Sequence, residues 1–274
     1  MSKILFIMFQ GAGTNLKSWN EYTESKFLDK LKTLGSVYTY QDKVNNIWHY
    51  DLMDPEHNDF NADIDFDLSY VRVNNHIKMV YNNIKNKYKN IDSYTFVPVG
   101  WSAGCLFALY FAQKYASKCL HVILLDPALW TPKNMKLRLK VIDKSGINDK
   151  PVSNEKFKKM LTNWKTSHTD KNNMYLINDV VHHVRSTYFS KHLRLKLSVP
   201  TTAFVNIQKP EKDEWSKDFN NKTRLDEIKI LKKHNPDKYE AIIFTNKSHY
   251  IFNKIQPAKY IIKYIDSIIS TIII

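Results

Sequence analysis

The hydrophobic and polar positions of the chain form two alternating kinds of segment. Short apolar or β-branched runs, such as residues 4–9, are typical of strands that are buried on both faces of a parallel sheet. Longer segments with apolar residues at helical spacing separate these runs. The pattern predicts strands over 4–9, 36–41, 94–99, 120–125, 201–207 and 241–244, and helices over 19–34, 69–89, 105–116, 224–234 and 260–274.

This alternation predicts an α/β fold, in which helices cover a doubly wound, mostly parallel sheet. The segment 128–198 breaks the alternation, because it has helical patterning and no strong strand signal. We interpret it as a helical cap that is inserted into the sheet domain. The sheet domain then comprises residues 1–127 and 199–274.

One loop has the pattern of a nucleophile elbow. Gly100-Trp101-Ser102-Ala103-Gly104 has the spacing G-x-S-x-G, in which a sharp strand-to-helix turn exposes a serine hydroxyl. A predicted strand precedes the loop and a predicted helix follows it, which is the context that the motif requires. Ser102 is therefore the candidate nucleophile.

A serine nucleophile needs a base, and imidazole suits this role because it gains and loses a proton near neutral pH. Of the ten histidines, His249 lies in the loop between the last predicted strand and the last predicted helix. His182 and His183 lie in the predicted cap. We therefore take His249 as the candidate base.

The order of these features resembles the α/β-hydrolase superfamily over nearly the whole chain. In that superfamily a glycine-rich loop follows an early strand, here residues 10–13, while the elbow follows a middle strand and the histidine follows the last one. The resemblance implies an oxyanion hole made by the main-chain N–H groups of Ala103 and of Ala12 or Gly13. It also implies that the segment 128–198 is the lid or cap that members of the superfamily commonly carry.

A carboxylate is expected to orient the histidine and stabilise its cation, and two positions are open for it. In most of the superfamily this acid follows the strand after the cap, where Glu211 and Asp213 lie somewhat late in the loop. Asp126 lies one strand earlier, in a segment that resembles the acid-bearing segment of pancreatic-type lipases. An aspartate at a strand exit can also simply cap the following turn. Both alternatives stay open at this point.

Together these residues predict a serine hydrolase that cleaves a carboxylic ester or thioester through an acyl-Ser102 intermediate. We expect Trp101 and Trp130 to contact the substrate. The predicted cap carries most of the chain's surplus of positive charge, which suits a small-molecule substrate with an anionic part. The alternatives are a hydrolase-fold acyltransferase, a binding protein without catalysis and a basic module that binds an anionic surface.

Composition narrows the remaining classes. The formal net charge is +14, but lysine greatly outnumbers arginine, which is the preferred residue at bases and phosphates, so nucleic acid is not favoured. The acidic loop 51–67 lacks the glycine and terminal glutamate of an EF-hand, and there is no nucleotide-type phosphate loop, so we predict neither a metal nor a cofactor. Two cysteines, no signal-peptide pattern and no membrane-length apolar segment indicate a cytoplasmic protein. The oligomeric state is not predicted.

Overall fold

A sheet of six parallel strands forms the centre of the structure in the residues that the computed structural model describes. These residues are 3–11, 19–20, 23–39, 66–102, 104–127, 196–207, 215–245 and 249–271. The strands are β1 (Lys3–Phe9), β2 (Ser36–Thr39), β3 (Tyr94–Trp101), β4 (Val122–Leu125), β5 (Thr201–Ile207) and β6 (Tyr239–Thr245). Their order across the sheet is β2-β1-β3-β4-β5-β6, and every neighbouring pair is parallel.

Helices cover both faces of this sheet. In the described ranges they are α1 (Phe27–Lys32), α2 (Phe66–Lys87), α3 (Gly104–Lys114), α4 (Trp215–His234) and α5 (Ile255–Ser270). Helices α1 and α5 contribute to one apolar core, and α2, α3 and α4 contribute to the other. None of the helices in these ranges combines the length and apolar character needed to cross a membrane.

The strands divide their side chains between the two cores because successive residues of a strand point to opposite faces. Along β1, for example, Leu5 and Ile7 belong to the core under α3, whereas Phe6 and Met8 belong to the core under α5. Both sets are buried, so the strands read as continuous apolar runs instead of alternating ones. This burial is the physical origin of the pattern from which the strands were predicted.

The structure confirms the parallel sheet and its helices on both faces. Strand β5 has the predicted bounds, and the ends of the other strands differ from the predicted ones by one or two residues. Helix α4 begins at Trp215, ahead of its predicted start. Most of the predicted cap, residues 128–195, lies outside the described residues. The boundaries of the sheet domain and the cap therefore stay predictions.

The predicted helix over 19–34 is wrong in its first half, because α1 begins only at Phe27. Lys26 has a φ of 51°, in the left-handed region, which ends any helix that approaches from the N-terminal side. Ser25 is held by the loop before α5, since its N–H donates to the main-chain oxygen of Asn253 at 2.9 Å. Trp19, the first residue of the predicted helix, instead stacks on Phe252, at 4.9 Å between ring centroids.

Candidate active site

The elbow predicted from G-x-S-x-G forms a sharp turn between β3 and α3. Ser102 has a φ of 53°, a conformation that few residues other than glycine adopt. The turn is held by neighbouring backbone, because the Ser102 N–H donates to the oxygen of Leu125 at 3.0 Å. The main-chain oxygen of Ser102 in turn accepts a hydrogen bond from the Cys105 N–H at 3.2 Å, at the start of α3.

The two glycines of the motif are required by close backbone approach. A Cβ on Gly104 would lie 2.1 Å from the main-chain oxygen of Phe9, at the end of β1. A Cβ on Gly100 would lie 2.4 Å from the Cα of Cys105. Both distances are far inside van der Waals contact, so no side chain fits at either position.

The glycine-rich loop after β1 begins beside the elbow. A Cβ on Gly11 would lie 3.2 Å from the Cβ of Ser102, which places this backbone directly against the serine. Ala12, Gly13 and Ala103 lie outside the described residues. The oxyanion hole predicted from them stays a prediction, although its loop begins at the expected place.

Asp126 follows β4 and is completely buried. Its φ of 45° lies in the left-handed region, and its N–H donates to the main-chain oxygen of Phe204 at 2.7 Å. The side chain then extends the ladder in place of the backbone, since Oδ1 accepts from the Asn206 N–H at 2.9 Å. The neighbouring strand β5 thus fixes the orientation of the carboxylate.

The structure brings His249 to this carboxylate. Its Nδ1 lies 2.5 Å from Asp126 Oδ2, and its side chain is 40% exposed. An ionised carboxylate can only accept hydrogen bonds, so Nδ1 carries a proton in this contact, and in a neutral imidazole Nε2 is then the basic nitrogen. Of the candidate acids, Asp126 is the one seen at the histidine, while Glu211 and Asp213 lie outside the described residues.

Sequence reasoning missed Arg224, on α4. Its Nη2 donates to Asp126 Oδ2 at 2.8 Å, and its Nη1 donates to the main-chain oxygen of Asn206 at 3.2 Å. The arginine side chain is largely buried. The available signal was a single arginine in a predicted helix near the sheet's carboxyl edge, and such a residue is by itself more often a solvated charge.

Trp101, next to Ser102, is buried in an aromatic cluster and contacts the histidine. Its Nε1 donates to the main-chain oxygen of His249 at 3.2 Å, and its ring lies 4.3 Å from the ring of Tyr250 between centroids. The indole is only 1% exposed, and the same cluster includes Phe252. The substrate contact predicted for Trp101 stays a prediction, as does that for Trp130, which lies outside the described residues.

The other nucleophilic side chain near the elbow is chemically quiet. Burial raises the pKa of the Cys105 thiol well above its ordinary value, which disfavours the reactive thiolate. Within the described ranges, no group of three or more His, Cys, Asp or Glu side chains is arranged to hold a metal ion. Among the described residues near the elbow, Ser102 is therefore the candidate nucleophile.

Solved structures with this arrangement of strands and helices superpose on nearly the whole chain. A lipase-esterase related protein from Clostridium acetobutylicum is 17% identical, with a TM-score of 0.53 over 97% of this chain and 95% of that one. The peroxisomal alpha-beta-hydrolase Lpx1 from Saccharomyces cerevisiae is 16% identical, with a TM-score of 0.56 over 99% of this chain and 78% of that one. The chain has the α/β-hydrolase fold.

A third structure with the α/β-hydrolase fold is the thioesterase RedJ from the prodiginine pathway of Streptomyces coelicolor. It is 11% identical, with a TM-score of 0.53 over 97% of this chain and 90% of that one. No protein-family model and no curated protein matches the chain. At these identities the comparison establishes the α/β-hydrolase fold, and the activity has to be argued from the site.

Proposed function

We propose that the protein is a serine hydrolase that cleaves carboxylic esters or thioesters through an acyl-Ser102 intermediate. The observation that carries the proposal is the contact between His249 Nδ1 and the buried Asp126 at the edge of the sheet where the Ser102 elbow lies. A serine on an elbow, a histidine and a carboxylate that contacts the histidine Nδ1 are the parts of an activated serine nucleophile.

Hydrogen bonds of neighbouring residues tie these three residues to one another. The Ser102 N–H donates to the main-chain oxygen of Leu125, the residue before Asp126. The indole N–H of Trp101, the residue before Ser102, donates to the main-chain oxygen of His249. Each member is therefore one residue or less from a hydrogen bond that leads to another member, which favours a common site over three unrelated features.

The reaction would proceed in two halves. His249 Nε2 takes the proton of Ser102 as the oxygen attacks the carbonyl carbon, and Asp126 stabilises the imidazolium that forms. The proton then passes to the leaving alcohol or thiol, whose bond to the carbonyl carbon breaks. Nε2 then takes a proton from a water molecule as the water oxygen attacks the acyl carbon, and it donates that proton to the Ser102 oxygen as the acyl–serine bond breaks and the carboxylic acid leaves.

Developing negative charge on the carbonyl oxygen needs donors fixed in advance. We assign them to the main-chain N–H groups of Ala103 and of Ala12 or Gly13. The support is the position of Gly11, whose backbone lies directly against Ser102.

The substrate class rests on the site chemistry and on the neighbours with this fold, which are named as lipase-esterase related and as a thioesterase. Both kinds of substrate have an acyl carbon that a serine can attack. The anionic part of the substrate and the cytoplasmic location stay predictions.

A fluorophosphonate tests the proposal directly. An activated Ser102 displaces fluoride and forms a bond to phosphorus, with its proton taken by His249, and peptide mass spectrometry locates the adduct. We expect labelling of Ser102 in the wild type, none in Ser102→Ala, and labelling slowed by about a thousandfold or more in His249→Ala. His234→Ala is the matched control, because His234 is an exposed histidine at the end of α4.

Ester and thioester hydrolysis by the same variants completes the test. Turnover that is lost in Ser102→Ala supports the hydrolase. Labelled Ser102 without turnover in water, but with acyl transfer to an added alcohol or amine, would identify an acyltransferase instead. A folded wild-type protein that is not labelled would contradict the proposal.

A further inference from the structure

The buried carboxylate of Asp126 needs compensating positive charge at every stage of the reaction. An ionised carboxylate without contact with water is costly unless it is paired and fully hydrogen-bonded. In the described residues its ion pairs are with Arg224 and His249. A neutral imidazole supplies a hydrogen-bond donor but no charge, so before Ser102 attacks the substrate the countercharge comes from Arg224.

The arginine also fixes the direction in which Asp126 points. Asp126 Oδ1 accepts a hydrogen bond from the main-chain N–H of Asn206, and Asp126 Oδ2 accepts one from Arg224 Nη2. Arg224 Nη1 donates to the main-chain oxygen of Asn206. These three hydrogen bonds close a ring of Asp126, Asn206 and Arg224. Because both carboxylate oxygens are held, Oδ2 is presented to His249 without freedom to rotate.

We propose that Arg224 is a positioning residue that keeps Asp126 charged and oriented while His249 is neutral. The inference rests on the proposed function and names a residue that acts through Asp126 without touching the substrate. Without the guanidinium, the buried carboxylate would be compensated by a second proton on His249. A doubly protonated imidazole cannot accept the proton of Ser102, so the chemical step would slow while binding stayed the same.

The test compares fluorophosphonate labelling of the whole protein in three variants of Arg224. Arg224→Met removes the charge and the fork, Arg224→Lys keeps the charge, and Arg224→Gln keeps a hydrogen-bond donor without charge. We expect Arg224→Met to lower the maximal labelling rate kinact by about tenfold to a hundredfold, with the apparent binding constant KI changed by less than about twofold. Arg224→Lys should recover part of that rate, and Arg224→Gln should recover less.

Lys229→Met is the matched control, because it removes one positive charge from an exposed position of the same helix. Thermal unfolding of each variant identifies those that fold. Should Arg224→Met not fold, Arg224→Lys and Arg224→Gln give the same comparison between charge and hydrogen bonding.

A double-mutant cycle with Asp126→Asn decides whether Arg224 acts through Asp126. We expect Arg224→Met to add less than about twofold to the loss already caused by Asp126→Asn. Multiplicative losses, an Arg224→Met variant that is labelled like the wild type, or a change confined to KI would each overturn the inference. Absence of labelling in the wild type would instead overturn the proposed function, and this inference with it.

Discussion

The indole Nε1 of Trp101 donates a hydrogen bond to the main-chain oxygen of His249, at 3.2 Å and across 148 positions of sequence. The residue before the candidate nucleophile therefore holds the backbone of the candidate base. The ring of Trp101 also lies 5.3 Å from that of Phe252, just after the histidine loop. The elbow and this loop consequently form one packed unit at the carboxyl edge of the sheet.

Trp101→Phe should weaken the contact between the elbow and the histidine loop while it keeps the space filled. The phenyl ring keeps most of the aromatic packing but cannot donate to His249. We expect a loss of about 1 kcal/mol in the free energy of unfolding and a several-fold slower labelling of Ser102. Denaturant unfolding and fluorophosphonate kinetics measure the two effects. Trp101→Ala should lower the free energy of unfolding by about 3–5 kcal/mol. A Trp101→Phe variant that is labelled at the wild-type rate would show that the hydrogen bond to His249 does not contribute to the reactivity of Ser102.

The choice of acid can be decided by three matched substitutions. Asp126→Asn keeps the shape of the side chain but removes the charge that stabilises the imidazolium, so labelling of Ser102 should slow by about 10³- to 10⁴-fold. Glu211→Gln and Asp213→Asn remove the same charge at the other two candidate positions. We expect each of these to change the rate by less than about twofold. A large effect at either position, with none at Asp126, would reassign the acid.

The glycines of the elbow region should tolerate substitution very differently. At Gly104 a Cβ would lie 2.1 Å from the Phe9 oxygen, which is backbone and cannot move aside, so Gly104→Ala should prevent folding or displace the elbow. At Gly11 a Cβ would lie 3.1 Å from the indole of Trp101, so this side chain has to shift by only a few tenths of an ångström. Gly11→Ala should therefore fold. Circular dichroism and solubility report the difference, and equal behaviour of the two variants would count against this reading.

His121 lies at the opposite end of the sheet from the elbow, and we expect it to make the stability of the protein depend on pH. Its Nε2 lies 2.9 Å from Thr202 Oγ1, which lies 2.9 Å from the hydroxyl of Tyr264, and that hydroxyl donates to Glu240. Burial lowers the pKa of His121 to about 4, although the carboxylate of Glu240 opposes the shift. Burial, together with the hydrogen bond to Glu240, raises the pKa of Tyr264 to about 12, so its hydroxyl stays protonated.

The unfolded chain takes up a proton at His121 near pH 6.5, whereas the folded protein takes it up only near pH 4. Stability should therefore fall as the pH drops from about 6.5 to 4, by at most about 3 kcal/mol from this residue. His121→Gln should flatten that part of the curve, and His234→Ala, at an exposed site, should leave it unchanged. Urea unfolding at a series of pH values measures it. Parallel curves for the wild type and His121→Gln would contradict the assignment.

The strands and the elbow were predictable because their causes are local. A strand such as Val122–Leu125 that is buried on both faces must be apolar throughout, and the turn at Ser102 needs glycine at two nearby positions. The false helix start near Trp19 marks the limit of such reasoning. Trp19 is covered by Phe252 from the far end of the chain. The local sequence pattern cannot distinguish an aromatic residue that is buried in this way from one on the apolar face of a helix.

The sequence by itself determined the parallel sheet, the candidate nucleophile and the candidate base, because hydrophobic periodicity and glycine spacing act over a few residues. It left the acid open, because Asp126 and its alternatives all follow strands. Only the tertiary structure placed Asp126 at His249 and brought Arg224 to both Asp126 and Asn206. The two contacts that Asp126 makes join residues 98 and 123 positions apart. They depend on which strands become neighbours, because parallel pairing places the carboxyl ends of β4, β5 and β6 side by side. The buried carboxylate that follows β4 is then close to the groups that compensate its charge.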